Sequence, residues 1–337
     1  MHKVTIIDIA KEAGVSKTTV SRVLNNSDVV DPVTRERVLD IIKKRHYAPS
    51  AAARNLSSQT SNTIGVIVPE VDNPFFGDIL RGATKVIDSN DLMLICCNSD
   101  DNMEKDLKSL RMLKEHRVRG ILYTPSIDYS SKEEKEKLVA VLNEIHIPIV
   151  LMDRKIDIGE RFDGIFFNDY QGMYDATKVL IDRGHTKIGL INAVLNRTVV
   201  KMRQQGFLDA MKDSGISICP EFIHSGNYRM IKAYELSKEM LAMKDRPTAV
   251  IACNSRSSLG FLKALKERQK LEEHVHIDHI GLDRIAALDI VESGFDYIER
   301  DAKLMGEKAM QILIERMAFP NKPAKEVILD APVRVHK

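Results

Sequence analysis

No stretch of the 337-residue chain approaches the roughly 20 consecutive apolar residues that cross a bilayer. The N-terminus, MHKVTIIDIAKEAG, carries Asp8 and Glu12 where a secretory leader would have an apolar run. Both absences predict a cytoplasmic protein with no membrane association. Cysteine is scarce, and Cys96, Cys97, Cys219 and Cys253 fit no metal or disulfide framework. They read as small buried side chains in a reducing compartment. There is no nucleophile elbow, no P-loop and no glycine-rich dinucleotide fingerprint. An enzyme built on the second part of the chain would need a base or nucleophile set apart by such a motif. Neither catalysis nor a cofactor is therefore expected. In HVHIDHIG, His274, His276 and Asp278 share one face of a strand. Imidazole and carboxylate two residues apart are not a zinc spacing, however, so no metal is expected either. No internal repeat or low-complexity tract stands out.

The composition present is that of a globular chain, 44% hydrophobic and 29% charged, long enough for two or three domains. Net charge is only +2, but residues 1–60 hold ten Lys/Arg against six Asp/Glu. A basic head on a slightly acidic body suits a polyanion-binding module joined to something else.

The head reads as three short helices. Thr5 precedes IIDIAKEAG with Asp8 three residues on, an N-cap with a carboxylate near the helix start. Ile6, Ile9, Ala10 and Ala13 form an apolar stripe, and Gly14 ends the helix. Ser16 caps KTTVSRVLN, whose Val20, Val23 and Leu24 face inward. Asp31-Pro32 opens PVTRERVLDIIKKR, with Val33, Val38, Ile41 and Ile42 available for packing. Only Gly-Val-Ser separates the first two helices, which makes a helix-turn-helix. Residues 1–48 are thus a DNA-binding head. SAAARNLSSQTSNT follows, one or two helical turns and then a polar linker, over 49–62.

From Thr63 the grammar changes to apolar runs (TIGVIVP, LMLICCN, GILYT, IPIVLMD, DGIFF, KIGLIN, TAVIAC, HIDHIGLD) alternating with amphipathic helical segments. Such alternation predicts an α/β fold of parallel sheets covered by helices. More than ten units exceed one ordinary sheet, so two lobes are expected. We place the first at 63–162 with 294–325, and the second at 163–293 with 326–337. A ligand would lie beyond the carboxyl ends of the strands, between the lobes.

Residues near the start of the second helix of a helix-turn-helix reach base edges. Here these are Lys17, Thr18 and Arg22. Lys and Arg can donate to guanine, and Thr can use its hydroxyl or methyl group. Ser16, Thr19, Ser21 and Asn25 suit phosphate contacts that fix register.

VTIIDIAKEAGVSKTTVSRVLN resembles the DNA-binding head of the LacI/GalR family of bacterial repressors. Further stretches match in the family's order: NTIGVIVPEVDNPFF, Arg119-Gly120-Ile121, IPIVLMDR, RGHTKIGLI, RPTAVIACN and IGLD. The resemblance implies a helix-turn-helix head on a two-lobed, periplasmic-binding-protein-like sensor. It adds Thr5 to the DNA contacts and makes PSAAARNL similar to the family's hinge helix. Leu56 would wedge into a minor-groove step, with Ala53 against the partner hinge; such a wedge unstacks a base step and the bend admits more contacts. It also implies an effector ring of Phe76 and Asp153 from the first lobe with Arg197, Arg203, Tyr228, Asn254 and Asp283 from the second. An Arg–Asp couple such as Arg203 with Asp283 binds hydroxyls or a carboxylate through charge-assisted bonds.

The departures from the family pattern are informative. Ser255 follows Asn254 where an acid is usual, Asn192-Ala193 stands where Gly-Gly or Gly-Pro is usual, Arg300 stands where a Gln is common, and Arg256 and Arg284 are unusual beside matched positions. The expected effector is a sugar, sugar acid or sugar phosphate, and the added arginines point toward the anionic members of that set. The chain stops at APVRVHK without a leucine-rich heptad helix, so a homodimer on a near-palindromic operator is expected. A phosphocarrier protein is a candidate corepressor, since some relatives bind one. A secreted sugar-binding protein would share the two-lobe grammar but lack the head. An architectural DNA-binding protein would not need the lobes. The regulator reading explains both halves and the linker: a ligand that favours one lobe orientation shifts operator binding.

Overall fold

The computed structural model describes residues 4–24, 29–47, 61–129, 131–156, 158, 162–194, 197–272, 274–290 and 294–336. They form two compact units, Met1–Ser61 and Asn62–Lys337.

In the first unit α1 (Ile6–Ala13) begins at a reciprocal cap. Thr5 N–H donates to the Asp8 carboxylate at 2.8 Å, and Asp8 N–H donates to Thr5 Oγ1 at 3.4 Å. Gly14, at φ +63°, adopts the left-handed conformation that ends α1. Ser16 Oγ then accepts Thr19 N–H at 3.1 Å and starts α2 (Lys17–Leu24). Asp31 caps α3 (Pro32–Lys44) through Thr34 N–H at 2.9 Å. Ile9, Ala10, Ala13, Val20, Val23, Val30 and Val38 are buried together, with Leu24, Ile41 and Ile42 partly buried against them. Val33 does not join them. It lies in the first turn of α3 on the solvent side and is 74% exposed.

The second unit holds two six-stranded sheets. Strands and helices are numbered in chain order. In the first sheet β1 (Thr63–Val68), β2 (Met93–Asn98), β3 (Gly120–Tyr123), β4 (Ile149–Met152), β5 (Asp163–Phe167) and β11 (Glu326–Leu329) run in the order β11-β5-β4-β3-β1-β2, all parallel. Runs such as TIGVIV are apolar throughout because helices cover both faces. Those helices are α4 (Pro74–Asp88), α5 (Met103–Glu115), α6 (Lys132–Glu144) and α12 (Ala302–Ala318). The second sheet has the order β12-β10-β9-β8-β6-β7, from β6 (Ile188–Ala193), β7 (Ile223–Gly226), β8 (Ala249–Ala252), β9 (Asp278–Leu282), β10 (Asp296–Ile298) and β12 (Val333–Arg334). Among the described residues only the β10–β12 pair is antiparallel. Its helices are α7 (Asp169–Asp182), α8 (Thr198–Asp213), α9 (Met230–Ala242) and α10 (Ser255–Leu271), with a short α11 (Ala286–Ile290).

The lobe boundaries differ from those expected. β5 pairs with β4 and β11, so 163–167 and 326–329 complete the first lobe, while β10 and β12 complete the second. The chain crosses between lobes near Asn168, again over Glu299–Asp301, and again near Asp330, between residues packed in one core and residues packed in the other. An apolar run predicts a strand, but only pairing assigns it to a sheet.

α4 and α12 meet face to face at glycine. A Cβ added at Gly82 would overlap the Lys303 carbonyl, and one added at Gly306 would overlap the Ile79 carbonyl. The close approach buries Ile79, Ala83, Met305 and Ala309 over the first sheet and fixes the helix whose N-terminus faces the cleft.

Candidate effector cleft and DNA-reading helix

The carboxyl ends of strands from both sheets converge on one cleft. Asp153 follows β4, Asp283 follows β9 and Tyr228 follows β7; all three have positive φ, at +60°, +73° and +62°. Left-handed backbone at non-glycine residues costs conformational energy and concentrates at functional sites. Between the lobes is a cavity of about 40 Å³, bordered by Phe76, Asp153, Arg203, Tyr228, Asn254 and Asp283. These are six of the seven ring positions implied by resemblance. The seventh, Arg197, stands at the margin, its guanidinium 3.4 Å from Asp101.

The cavity is also bordered by residues absent from that expectation: Glu70, Asn73, Phe75, Asp101, Arg154, Val199 and Arg300. Glu70 and Asp101 lie just past β1 and β2, so their place after a strand end was the available signal. Arg300 lies in the second lobe crossing. Its Nε and Nη2 donate to Asp283 at 2.8 and 2.7 Å, and its Nη1 donates to Asp153 at 3.0 Å. The guanidinium stacks on Phe75, 4.1 Å from the ring centre. Arg203 donates through Nε to Asp169 at 2.7 Å, and through Nη1 to the Tyr228 hydroxyl at 3.2 Å and the Cys253 carbonyl at 3.1 Å. The Tyr228 hydroxyl in turn donates a hydrogen bond to Asn192 Oδ1 at 3.2 Å. Asn254 has a structural task as well: its Oδ1 accepts Ser257 N–H at 2.7 Å, capping α10, and its Nδ2 donates to the Tyr228 carbonyl at 3.0 Å.

Every arginine in the cleft therefore has an acid. Arg154 donates to Asp101 at 2.7 Å. Burial opposes ionisation of Asp101, but Arg154 and Arg197 outweigh it and hold the carboxyl below its usual range. Burial, and then the neighbouring Arg154, lower Arg197. Burial pushes the Cys253 thiol up to about 12, leaving it protonated. The three arginines taken as signs of an anion site are all paired: Arg300 with Asp283 and Asp153 as above, Arg256 2.8 Å from Asp72 and 3.5 Å from Glu70, and Arg284 with Asp289, outside the cavity wall. They add no unopposed positive charge to the cleft.

In HVHIDHIG, His276 and Asp278 form a pair at 2.9 Å, and His279 is buried between Phe261 and Phe295. Among the described residues no group of three or more His, Cys, Asp or Glu is placed to hold a metal ion.

On the head, Ser16, Lys17, Thr18 and Arg22 are exposed along one side of α2, opposite buried Val20 and Val23. Ser16 and Thr19 share a hydroxyl hydrogen bond of 2.9 Å at its start, and Ser21 is half-buried. Thr5 is exposed and engaged in its cap. Asn25, Ala53 and Leu56 lie outside the described residues.

A basic helix-turn-helix joined to a two-lobed sheet pair with a polar cleft defines a ligand-responsive DNA-binding regulator. Comparison with known proteins agrees along the chain. Residues 5–50 match the model of bacterial regulatory proteins of the lacI family, and residues 61–328 match that of periplasmic binding proteins and the sugar binding domain of the LacI family. The chain belongs to the LacI family. It is 34% identical to the HTH-type transcriptional repressor PurR of Mannheimia succiniciproducens over 97% of this chain and 95% of that one. It is 35% identical to the PurR of Pasteurella multocida over 93% and 92%. Among solved structures, the lac repressor dimer bound to operator and the anti-inducer ONPF superposes with a TM-score of 0.83, at 22% identity, covering 99% and 98%. A LacI family regulator from Enterococcus faecium with bound ribose gives 0.68 at 25% identity, covering 82% and 97%. The protein is a DNA-binding transcriptional repressor with a ligand-binding sensor domain, not an enzyme. Among the described residues no helix is long and apolar enough to cross a membrane.

Proposed function

We propose that this repressor acts in the cytoplasm as a homodimer on a near-palindromic operator, and that its cleft takes a small, neutral, polyhydroxylated molecule of the sugar class. The observation that carries the effector class is the pairing of Arg154, Arg203 and Arg300 with Asp101, Asp169, Asp283 and Asp153. Fixed carboxylates and guanidinium N–H groups side by side suit hydroxyls, which accept and donate at once. A phosphate or carboxylate would instead face Glu70, Asp101, Asp153 and Asp283. The ribose held by the Enterococcus faecium regulator is consistent with this reading. Phe76, Asp153, Arg203, Tyr228, Asn254 and Asp283 are the proposed contacts, with Arg197 at the edge. Phe76 supplies an apolar surface for a sugar ring, since the Phe75 ring already carries Arg300.

In the head, Lys17, Thr18 and Arg22 read bases, while Thr5, Ser16, Thr19, Ser21 and Asn25 hold phosphates. Leu56 is the minor-groove wedge, and Ala53 packs against the partner hinge. Effector binding shifts the lobes between two orientations and thereby operator affinity. A thermal-shift screen of the full chain against neutral sugars, their acids, their phosphates and nucleobases tests the effector class, with a phosphocarrier protein as a separate arm. A transition raised by a neutral sugar and not by its acid is expected. Stabilisation confined to an acid or phosphate would overturn the reading.

A further inference from the structure

We propose that lobe closure in this chain is governed by two opposed charge rims, acidic on the first lobe and arginine-bearing on the second. The first lobe supplies Glu70 and Asp72 past β1, Asp100 and Asp101 past β2, and Asp128 past β3. The second supplies arginine at the starts of three helices. Arg229, before α9, lies 2.6 Å from Glu70 and 3.2 Å from Asp100. Arg256, in the first turn of α10, bridges Glu70 and Asp72, and Arg197, before α8, meets Asp101.

Within the second lobe alone these are poor choices. A helix start favours Ser, Thr, Asp or Asn, whose oxygen satisfies a free N–H, and its dipole disfavours a cation. α8 and α9 have Arg197 and Arg229 at their N-caps and, among the described residues, no side-chain cap of their own. For α8 the missing acceptor comes from the other lobe: the Asp128 carboxylate takes both Thr198 N–H and Thr198 Oγ1–H, the latter at 2.7 Å. A local rule broken in one lobe and, among the described residues, met across the cleft marks a contact built for the closed arrangement.

The loop carrying Asp128 is itself anchored. Buried Asp106 accepts hydrogen bonds from Ser126 N–H and Oγ at 2.8 and 2.6 Å, and from the Tyr123 and Tyr129 hydroxyls at 2.8 and 3.0 Å. Asp128 lies between two of these fixed residues, so it is presented to α8 on a rigid support. Opening the lobes would leave like charges clustered on each rim and uncap α8. The consequence for gene regulation rests on the cleft being the effector site: a ligand would act on a closure equilibrium that the rims already bias.

The test needs no effector. Lys108→Cys on α5 and Glu239→Cys on α9, in full-length protein with Cys96→Ser and Cys219→Ser, carry spin labels whose separation is read by pulsed electron paramagnetic resonance. Arg229→Glu with Arg256→Glu places acids against acids and is expected to lengthen the inter-lobe distance. Adding Glu70→Arg, Asp72→Arg and Asp100→Arg restores the opposite signs and should shorten it again. Asp128→Ala, a milder change outside the apolar cores, should lengthen it by a smaller amount, with circular dichroism confirming the fold of each protein. Parent-like distances in the charge-reversed protein and in Asp128→Ala would overturn the proposal. So would a folded charge-swapped protein that stays open. If the reversed protein does not fold, Asp128→Ala alone decides. Because no ligand is added, failure here leaves the effector class standing, and an unsuccessful ligand screen leaves the rims standing.

Discussion

Arg300 binds both carboxylate oxygens of Asp283, at 2.8 and 2.7 Å, from a segment that joins the two lobes. The same guanidinium reaches Asp153 of the first lobe at 3.0 Å. One buried cation thus ties together an acid from each lobe at the floor of the cleft. Burial works against the charge, but Asp283 and Asp153 outweigh it and raise the arginine above its ordinary value.

Arg300→Leu should consequently be severe. It leaves two buried acids without their cation, which typically costs about 3–5 kcal/mol. Urea unfolding of the full chain measures this. Combining Arg300→Gln with Asp283→Asn should recover much of the loss, and equal destabilisation by the combination and by Arg300→Leu would show that packing on Phe75 is the larger contribution.

The glycine contact between α4 and α12 makes a second prediction. Gly306→Ala must push α12 off the Ile79 carbonyl, and overpacking of this kind costs about 1–3 kcal/mol. Gly77→Ala in the same helix pair is the control, since nothing lies within 4 Å of an added Cβ there. It should be neutral or stabilising by up to about 1 kcal/mol through helix propensity. Thermal unfolding of the two variants should separate them in sign.

His279 predicts acid sensitivity. Burial lowers its pKa from 6.5 to about 4, although Nδ1 contacts the Val250 carbonyl at 3.1 Å. Between those values the unfolded chain binds the proton and the folded chain does not, so stability rises with pH across that window. It is fully present above about 6.5 and falls as pH drops toward 4, by up to about 3 kcal/mol. His279→Phe should flatten the dependence of Tm on pH between these limits; an unchanged slope would assign the acid loss to other groups.

On the head, Arg22→Ala should weaken operator binding by about 1–3 kcal/mol if Arg22 reads guanine. Fluorescence anisotropy on operator and random duplexes at one fixed salt concentration distinguishes the roles. A loss equal on both would make Arg22 a phosphate contact.

The sequence by itself determined the parts whose physics is local. Thr5 with Asp8, Gly14, Ser16 and Asp31-Pro32 set the boundaries of three head helices, because caps and left-handed turns depend on neighbours in the chain. Apolar runs marked the buried parallel strands, and likeness of motif named six residues that the fold sets around the cleft cavity. Val33 shows the limit even there, since an apolar residue at helical spacing faces solvent when no partner covers that turn. Only the tertiary structure decided the rest. Strand pairing moved the lobe boundary past Phe167, and chain crossings carried Arg300 between Asp153 and Asp283. The cleft arginines that suggested an anion met their acids across long sequence separations, Arg256 with Asp72 and Arg300 with Asp153. Charge is written in the sequence, but its neutralisation depends on which distant residues the fold sets within about 4 Å, where an ion pair forms.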